Sequence, residues 1–233
     1  MENGQNIDMK EIVIAAYNRD ISWTKELIDT KVTIYRKGND PLENEIGMIN
    51  VGRCVHTFFS HILNNYNNLS DYTFFVQDYP FDHWENLIDI INSNTYQTNY
   101  TLNIDGYYGY HYNTIGNNNR VSKYNEGGRM WTMYESSIGT GKVLRCLSNG
   151  YPQDNNTNIN VDKYWNQLFI SDIPPIYEFM PGGHFCITKE HVKIRTKDFY
   201  KKIVDILEES EHTPWVIERL ECYIFNKNFK SIC

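Results

Sequence analysis

A chain of 233 residues that is 41% hydrophobic and 22% charged carries enough apolar material for one packed domain, and its formal net charge of −7 excludes a general nucleic-acid binder, which would present a basic face. The start, Met1 to Lys10, is polar and lacks the apolar stretch of a signal peptide, and no apolar run approaches the ~20 residues a membrane-spanning helix needs. Five cysteines without a CxxC pair leave one unpaired under full oxidation, which points to reduced thiols and a cytoplasmic setting.

Residues 1–10 read as a flexible lead-in and 11–233 as a single domain. The first strand is expected at Glu11–Tyr17, a short apolar run that ends in Asn18-Arg19-Asp20. Ile21 to Asp29 has helical spacing, with Trp23, Leu27 and Ile28 on one side, and Val32–Tyr35 is a second strand. Asn50-Val51-Gly52-Arg53 leads into a helix over Val55–Tyr66. A third strand, Tyr72–Gln77, stops at Asp78-Tyr79-Pro80, and a helix follows over His83–Asn92. This alternation predicts an α/β fold with a mainly parallel, doubly wound central sheet flanked by helices.

Ser93 to Asn160 is rich in Gly, Asn and Tyr and weakly patterned; Met130–Tyr134 and Lys142–Cys146 are expected as strands or lid-like loops. Periodicity returns with a helix at Val161–Phe169 and a strand at Gly183–Thr188. Thr196 is a helix cap for the run through Phe199, Ile203 and Leu207, and Thr213-Pro214 starts the last helix.

Ligands of open α/β sheets bind beyond the carboxyl ends of the strands, so the residues there are the candidates. They are Tyr17, Asn18, Arg19 and Asp20 after the first strand and Arg36 and Lys37 after the second; Gln77, Asp78, Asp82 and His83 follow the third. Such a cationic rim with carboxylates suits a diphosphate and a divalent metal, although polar residues end most strands. Asn50-Val51-Gly52-Arg53, just before a helix, offers backbone N–H groups and a bidentate guanidinium to an anion. His56 and His61 lie five apart on one helix and do not form a metal pair. Aromatics at 15%, with 18 Tyr and 5 Trp, suit sugar or base recognition but also simply fill cores.

The strings IVIAAYNRDISW, NVGRCVHTFFSHILNNYNNLSDYTFFVQDYPFDHW, GGHFCITKEHV and PWVIERLECYIF resemble a domain family of unknown function found in fungi, bacteria and large DNA viruses. They are also similar to the glycosyltransferase domain at the start of a chlorella-virus glycan-assembly protein. The resemblance covers roughly Ile12 through Asn92 and Pro181 through Phe225, with QDYPFDH its most specific piece. It implies a GT-A (Rossmann-like) glycosyltransferase domain, a UDP-sugar donor, a glycan acceptor and a Mn2+ or Mg2+ ion, working in the cytoplasm, the host's if the chain is viral.

On that resemblance, Tyr17, Arg19, Arg36, Arg53, Gln77 and Asp78 would bind the nucleotide sugar, with Asp78 on the metal. The metal-binding DxD pattern is incomplete, since Gln77 and Tyr79 flank Asp78 and the next carboxylate is Asp82. Asp82, His83, Gly183 and His184 would support the site or meet the acceptor. Glu218 on the last helix is the expected general base, with Glu221 the second choice. Val216, Ile217, Leu220, Tyr223 and Ile224 share one face of that helix, which leaves Glu218 opposite and Glu221 on the flank, either solvated or lining a cleft. The product expected is an inverted glycoside of a hexose or deoxyhexose. A carbohydrate-binding module without chemistry, or a metal-dependent nucleotidyltransferase or hydrolase, would use the same residue types; no Walker pattern supports a P-loop kinase.

Overall fold

The computed structural model describes residues 8–97, 102–104, 107–109, 121–126, 129–138, 141–152, 161–174, 176–179 and 183–232. Strand β1, Lys10–Ala16, is buried along its whole length. It therefore begins inside the expected lead-in, and Met9 N donates to Asp71 Oδ2 at 2.7 Å. The Ile21–Asp29 segment forms only a 3-10 turn at Ser22–Glu26. Asp20, just before that turn, accepts from Ser22 N and Oγ, and Asp29 adopts φ 47°, which ends any helical path before the next strand.

Strand β2 (Thr30–Arg36) and the two-residue β3 (Ile46–Gly47) precede helix α1 (Arg53–Asn64), and β4 occupies Tyr72–Gln77 as expected. Helix α2 is only Leu87–Asn92, because residues 80–84 form a turn in which His83 N and Trp84 N both donate to the Pro80 carbonyl. Strands β5 (Leu102–Ile104), β6 (Tyr107–Gly109), β7 (Val121–Glu126), β8 (Arg129–Ile138) and β9 (Gly141–Pro152) fill the weakly patterned middle. Helix α3 (Val161–Leu168), β10 (Ile176–Phe179), β11 (Phe185–Thr188), α4 (Lys189–Val192), α5 (Lys197–Glu209) and α6 (Thr213–Ile224) complete the chain. Thr196 caps α5 through its side chain, which accepts from Phe199 N, and Pro214 sits in the first turn of α6.

The main sheet has seven strands in the order β3-β2-β1-β4-β11-β6-β5. Its first half is parallel: β1 lies between β2 and β4, with Ile14 opposite both Ile34 and Val76. From β4 onward the pairings β4–β11, β11–β6 and β6–β5 are antiparallel. A second, four-stranded sheet, β10-β9-β8-β7, is antiparallel throughout. It places the Met130–Tyr134 and Lys142–Cys146 segments in strands.

Successive side chains of β1 enter different layers, as the pleat requires. Val13 and Ala15 join Phe58, Phe59, Leu207 and Leu220 from α1, α5 and α6. Ile12, Ile14 and Ala16 join Trp23, Trp84, Leu87 and Ile91 on the other face. The helices therefore cover both faces of β1 and β4. Among the described residues no helix is long and apolar enough to cross a membrane.

Candidate functional site at the carboxyl edge of the sheet

Asp78 follows β4 directly and organises the edge. Its Oδ2 accepts from Tyr17 N at 2.9 Å and Arg19 N at 3.1 Å, and its carbonyl accepts from Trp23 Nε1 at 2.9 Å. One carboxylate thus fixes the chain as it leaves β1, with charge-assisted bonds that are roughly twice as strong as neutral ones. Gly38 completes this fixation, because a Cβ there would come within 2.4 Å of Asn18 Oδ1 and 2.6 Å of the Tyr17 carbonyl oxygen. Beside the loop, Arg19, Asp20, Ser22, Trp23, Tyr79 and Phe81 line a hollow of about 510 Å3. The Arg19 guanidinium lies over the Tyr79 ring at 5.4 Å, and Trp23 and Tyr79 each meet Phe81 edge-on. A cation among aromatic rings suits a planar, anionic ligand such as a nucleotide.

Arg36 is committed elsewhere. Its Nε donates to Glu45 Oε2 at 2.9 Å and its Nη2 to Glu45 Oε1, while Nη1 donates to the Tyr17 carbonyl at 3.3 Å. These contacts make Arg36 a brace between β2, the residues after it and the Tyr17 loop. The buried Lys37 does the same one residue on: its ammonium donates to the carbonyls of Val51, at 2.6 Å, and Arg53. Burial lowers its pKa to about 8.

The second part of the edge is built on β11 and α6. His184 is buried, and its Nε2 accepts from Gln77 N at 3.3 Å, which assigns the ring proton to Nδ1. Its ring meets that of His83 at 5.2 Å, and Asp82 lies 3.9 Å from His83 Nε2. Gly183 carries φ 61°, and a Cβ there would stand 3.6 Å from Glu221 Oε1. Gly182 is outside the described residues.

Glu218 and Glu221 are 8% and 1% exposed, so neither occupies a solvated face. The reason is tertiary: α6 packs against α1, α3, α5 and β10, and Tyr107 and Gly183 close on Glu221. A buried carboxylate is costly unless it is neutralised, and Glu221 follows that rule. Burial, then the charge of Glu218, pushes its pKa well above the carboxylate range, against the hydrogen bond from the Tyr107 hydroxyl at 3.4 Å. Its Oε1 is buried and has no hydrogen-bond partner among the described residues. Burial first, then the charges of Glu218 and Glu221, raises the Cys54 thiol to about 12, against the opposing charge of Lys37. The pair therefore sets a buried carboxyl group whose proton is held tightly, Glu221, beside a second buried glutamate, Glu218.

The fold brings Tyr17, Arg19, Arg36 and Asp78 together, and links them through Gln77 to His83, His184, Gly183, Glu221 and Glu218. Arg53 departs from this group, since its guanidinium lies over the Trp215 ring at 4.3 Å. Lys37, a strand-end candidate, is part of the edge through its bonds to the Val51 and Arg53 carbonyls. Cys54, Tyr79 and Tyr107 are members that sequence reasoning missed, and Trp215 stands with Arg53 outside the group; of these only Tyr79 carried a signal, as the neighbour of a strand end. Tyr107 lies in the unpatterned middle, and Trp215 is outside the apolar stripe of α6.

A divalent ion fits these residues poorly. One oxygen of Asp78 is already engaged by two amides, and the described residues contain no cluster of three His, Cys, Asp or Glu side chains around a point. A hard cation takes about six oxygen ligands, so nearly all would have to come from a bound phosphate and water.

Comparison with curated proteins and with solved structures gives no match. Residues 12–232 match one protein family over nearly the whole chain, including both parts of the edge. The chain therefore belongs to the family described as Protein of unknown function (DUF3431).

Proposed function

We propose that this chain is a GT-A-type glycosyltransferase that moves a hexose or deoxyhexose from a UDP-sugar to a glycan hydroxyl with inversion. The observation that carries the reading is the buried Glu218–Glu221 pair at the edge of the sheet where the parallel strands deliver Asp78 and the Arg19–Tyr79 hollow. In this reading the uridine enters that hollow and Arg19 faces the diphosphate. Glu218 takes the proton of the acceptor hydroxyl as its oxygen attacks the anomeric carbon. The bond from that carbon to the phosphate oxygen breaks, and its electron pair leaves with UDP. Glu221 stays protonated, which keeps a second negative charge away from the reacting oxygen. No step is routed through Mn2+ or Mg2+. The free thiols of Cys54, Cys186 and Cys222 suit a reducing cytoplasm and form part of the proposal.

The test is calorimetry with UDP, GDP and UDP-sugars, with and without Mn2+, on the wild type and Glu218→Gln. The variant keeps the side-chain shape, so donor affinity should hold while turnover falls by ~10²–10⁴-fold, the usual contribution of a general base. UDP should bind more tightly than GDP. No nucleotide binding, with binding of free glycans, would make the chain a carbohydrate-binding module instead; hydrolysis of a nucleotide without sugar transfer would favour the hydrolase reading.

A further inference from the structure

A second hollow, of about 560 Å3, opens between the start of α1 and the turn joining α5 to α6. This lies within the ~300–1,000 Å3 typical of small-ligand sites. Asn50, Arg53, Glu208, Glu211, His212 and Trp215 carry its chemistry. Trp215 is 37% exposed, and it is the large aromatic of the lining. It is also held in place: the Arg53 guanidinium lies 4.3 Å from the ring centroid, and the Trp215 carbonyl accepts from Arg219 Nη1 at 2.9 Å. An indole beneath a cation, on a backbone that is itself bonded, presents an apolar surface with few torsions to freeze.

The charges around it select the ligand. Glu208 and Glu211 set two carboxylates against the single guanidinium, and that guanidinium lies over the indole. A diphosphate would meet net repulsion there. Carboxylates, an amide and a hydroxyl around an aromatic plate suit a neutral polyol, whose hydroxyls donate to the acids while its C–H face rests on the ring. His56 Nε2 fixes Glu208 at 3.0 Å, so one of these acceptors is oriented in advance.

Position relates the hollow to the glutamates. Trp215 and Glu218 are three residues apart on α6, about 4.5 Å along the axis at roughly 1.5 Å per residue. Arg53 against Trp215 ties the start of α1 to α6, and the charge of Glu218 acts on Cys54, the next residue of α1. We infer that this hollow is a carbohydrate subsite, with Trp215 as its platform, and that it holds the neutral acceptor glycan beside Glu218. The acceptor role rests on the transferase reading; the carbohydrate binding itself does not.

The test uses maltotriose and cellotriose as probes, followed by saturation-transfer NMR and tryptophan fluorescence on the full chain, with UDP titrated separately. At least one trisaccharide should bind the wild type, at least about tenfold more weakly to Trp215→Ala, the loss expected when an anchoring tryptophan is truncated. Trp215→Phe keeps a ring and should retain binding within a few-fold, which separates recognition from misfolding. UDP affinity should be the same in all three proteins. Trisaccharide binding at Trp215 in a protein that binds no UDP would uphold the subsite and remove the transferase. The inference is overturned if neither trisaccharide binds the wild type, if Trp215→Ala binds as the wild type does, or if the tryptophan substitution abolishes UDP binding instead.

Discussion

Replacing Glu221 by Gln tests the electrostatics of the buried pair without relying on any substrate. Glu221 is wholly buried, next to Glu218, Cys54 and Tyr107, and its folded pKa is raised well above the value of 4.5 for a free side chain. The unfolded chain therefore releases this proton near pH 4.5 while the folded chain keeps it. Over that window the native state holds one proton more, so stability falls as pH rises, by about 1.4 kcal/mol per pH unit. The loss continues upward from pH 4.5 for as long as the folded chain keeps the proton, with that slope as its ceiling. Gln has the shape of the protonated acid and no proton to lose. The stability of Glu221→Gln relative to the wild type should consequently increase as pH rises above 4.5, by up to about 1.4 kcal/mol per pH unit, whatever constant offset the amide brings. Urea unfolding followed by far-UV circular dichroism at several pH values measures the difference. Parallel stability curves for the two proteins would show that Glu221 is ionised in the native state, and would refute its description as a buried acid.

Asp78→Ala removes the acceptor that two backbone amides share, which should destabilise the fold by about 2–3 kcal/mol and weaken UDP binding through the freed Tyr17 loop; unchanged thermal stability would contradict the hub role. Thr196→Ala deletes the side-chain cap of α5 and should cost about 1 kcal/mol in chemical unfolding, with no effect on ligand binding. His61 is buried against Glu11, at 3.7 Å, and burial lowers its pKa to about 4. Because the folded value lies below the unfolded 6.5, the stability it contributes is complete above pH 6.5 and is lost as pH falls toward 4. Proton NMR of the His61 ring should show it neutral through this range, and a titration midpoint near 6.5 would refute the assignment.

The local signals were strong where one element satisfied its own requirements. Tyr72–Gln77, an apolar run closed by Asp78 and Pro80, is a strand with those limits, and Thr196 caps α5 as its position before Phe199 suggested. Spacing failed at Ile21–Asp29, where a helical pattern of apolar residues yields a single 3-10 turn. Trp23 there is fixed by the Asp78 carbonyl and the layer around Phe81, contacts that come from 55 or more residues away. The second sheet was unreadable for a related reason: β7, β8 and β9 are specified by cross-strand pairing, as between Thr132 and Leu147, which leaves little periodic trace within any one segment.

The same division runs through the candidate site. Strand ends are legible from sequence, so Tyr17, Arg19, Gln77 and Asp78 could be named with the strands that carry them. Whether a cation at a strand end is free or already paired depends on its partners, and Arg36 is taken by Glu45 while Arg53 lies against Trp215. The environment of Glu218 and Glu221 was decided by tertiary structure alone. Helical periodicity ranks the faces of α6 by polarity, but burial depends on what the other elements cover. Here α1, α3, α5 and β10 enclose α6, and Gly183 and Tyr107 reach Glu221 from two other strand segments. A carboxyl group that would be charged on an isolated helix becomes a buried acid because the surrounding chain excludes the water that would solvate its anion.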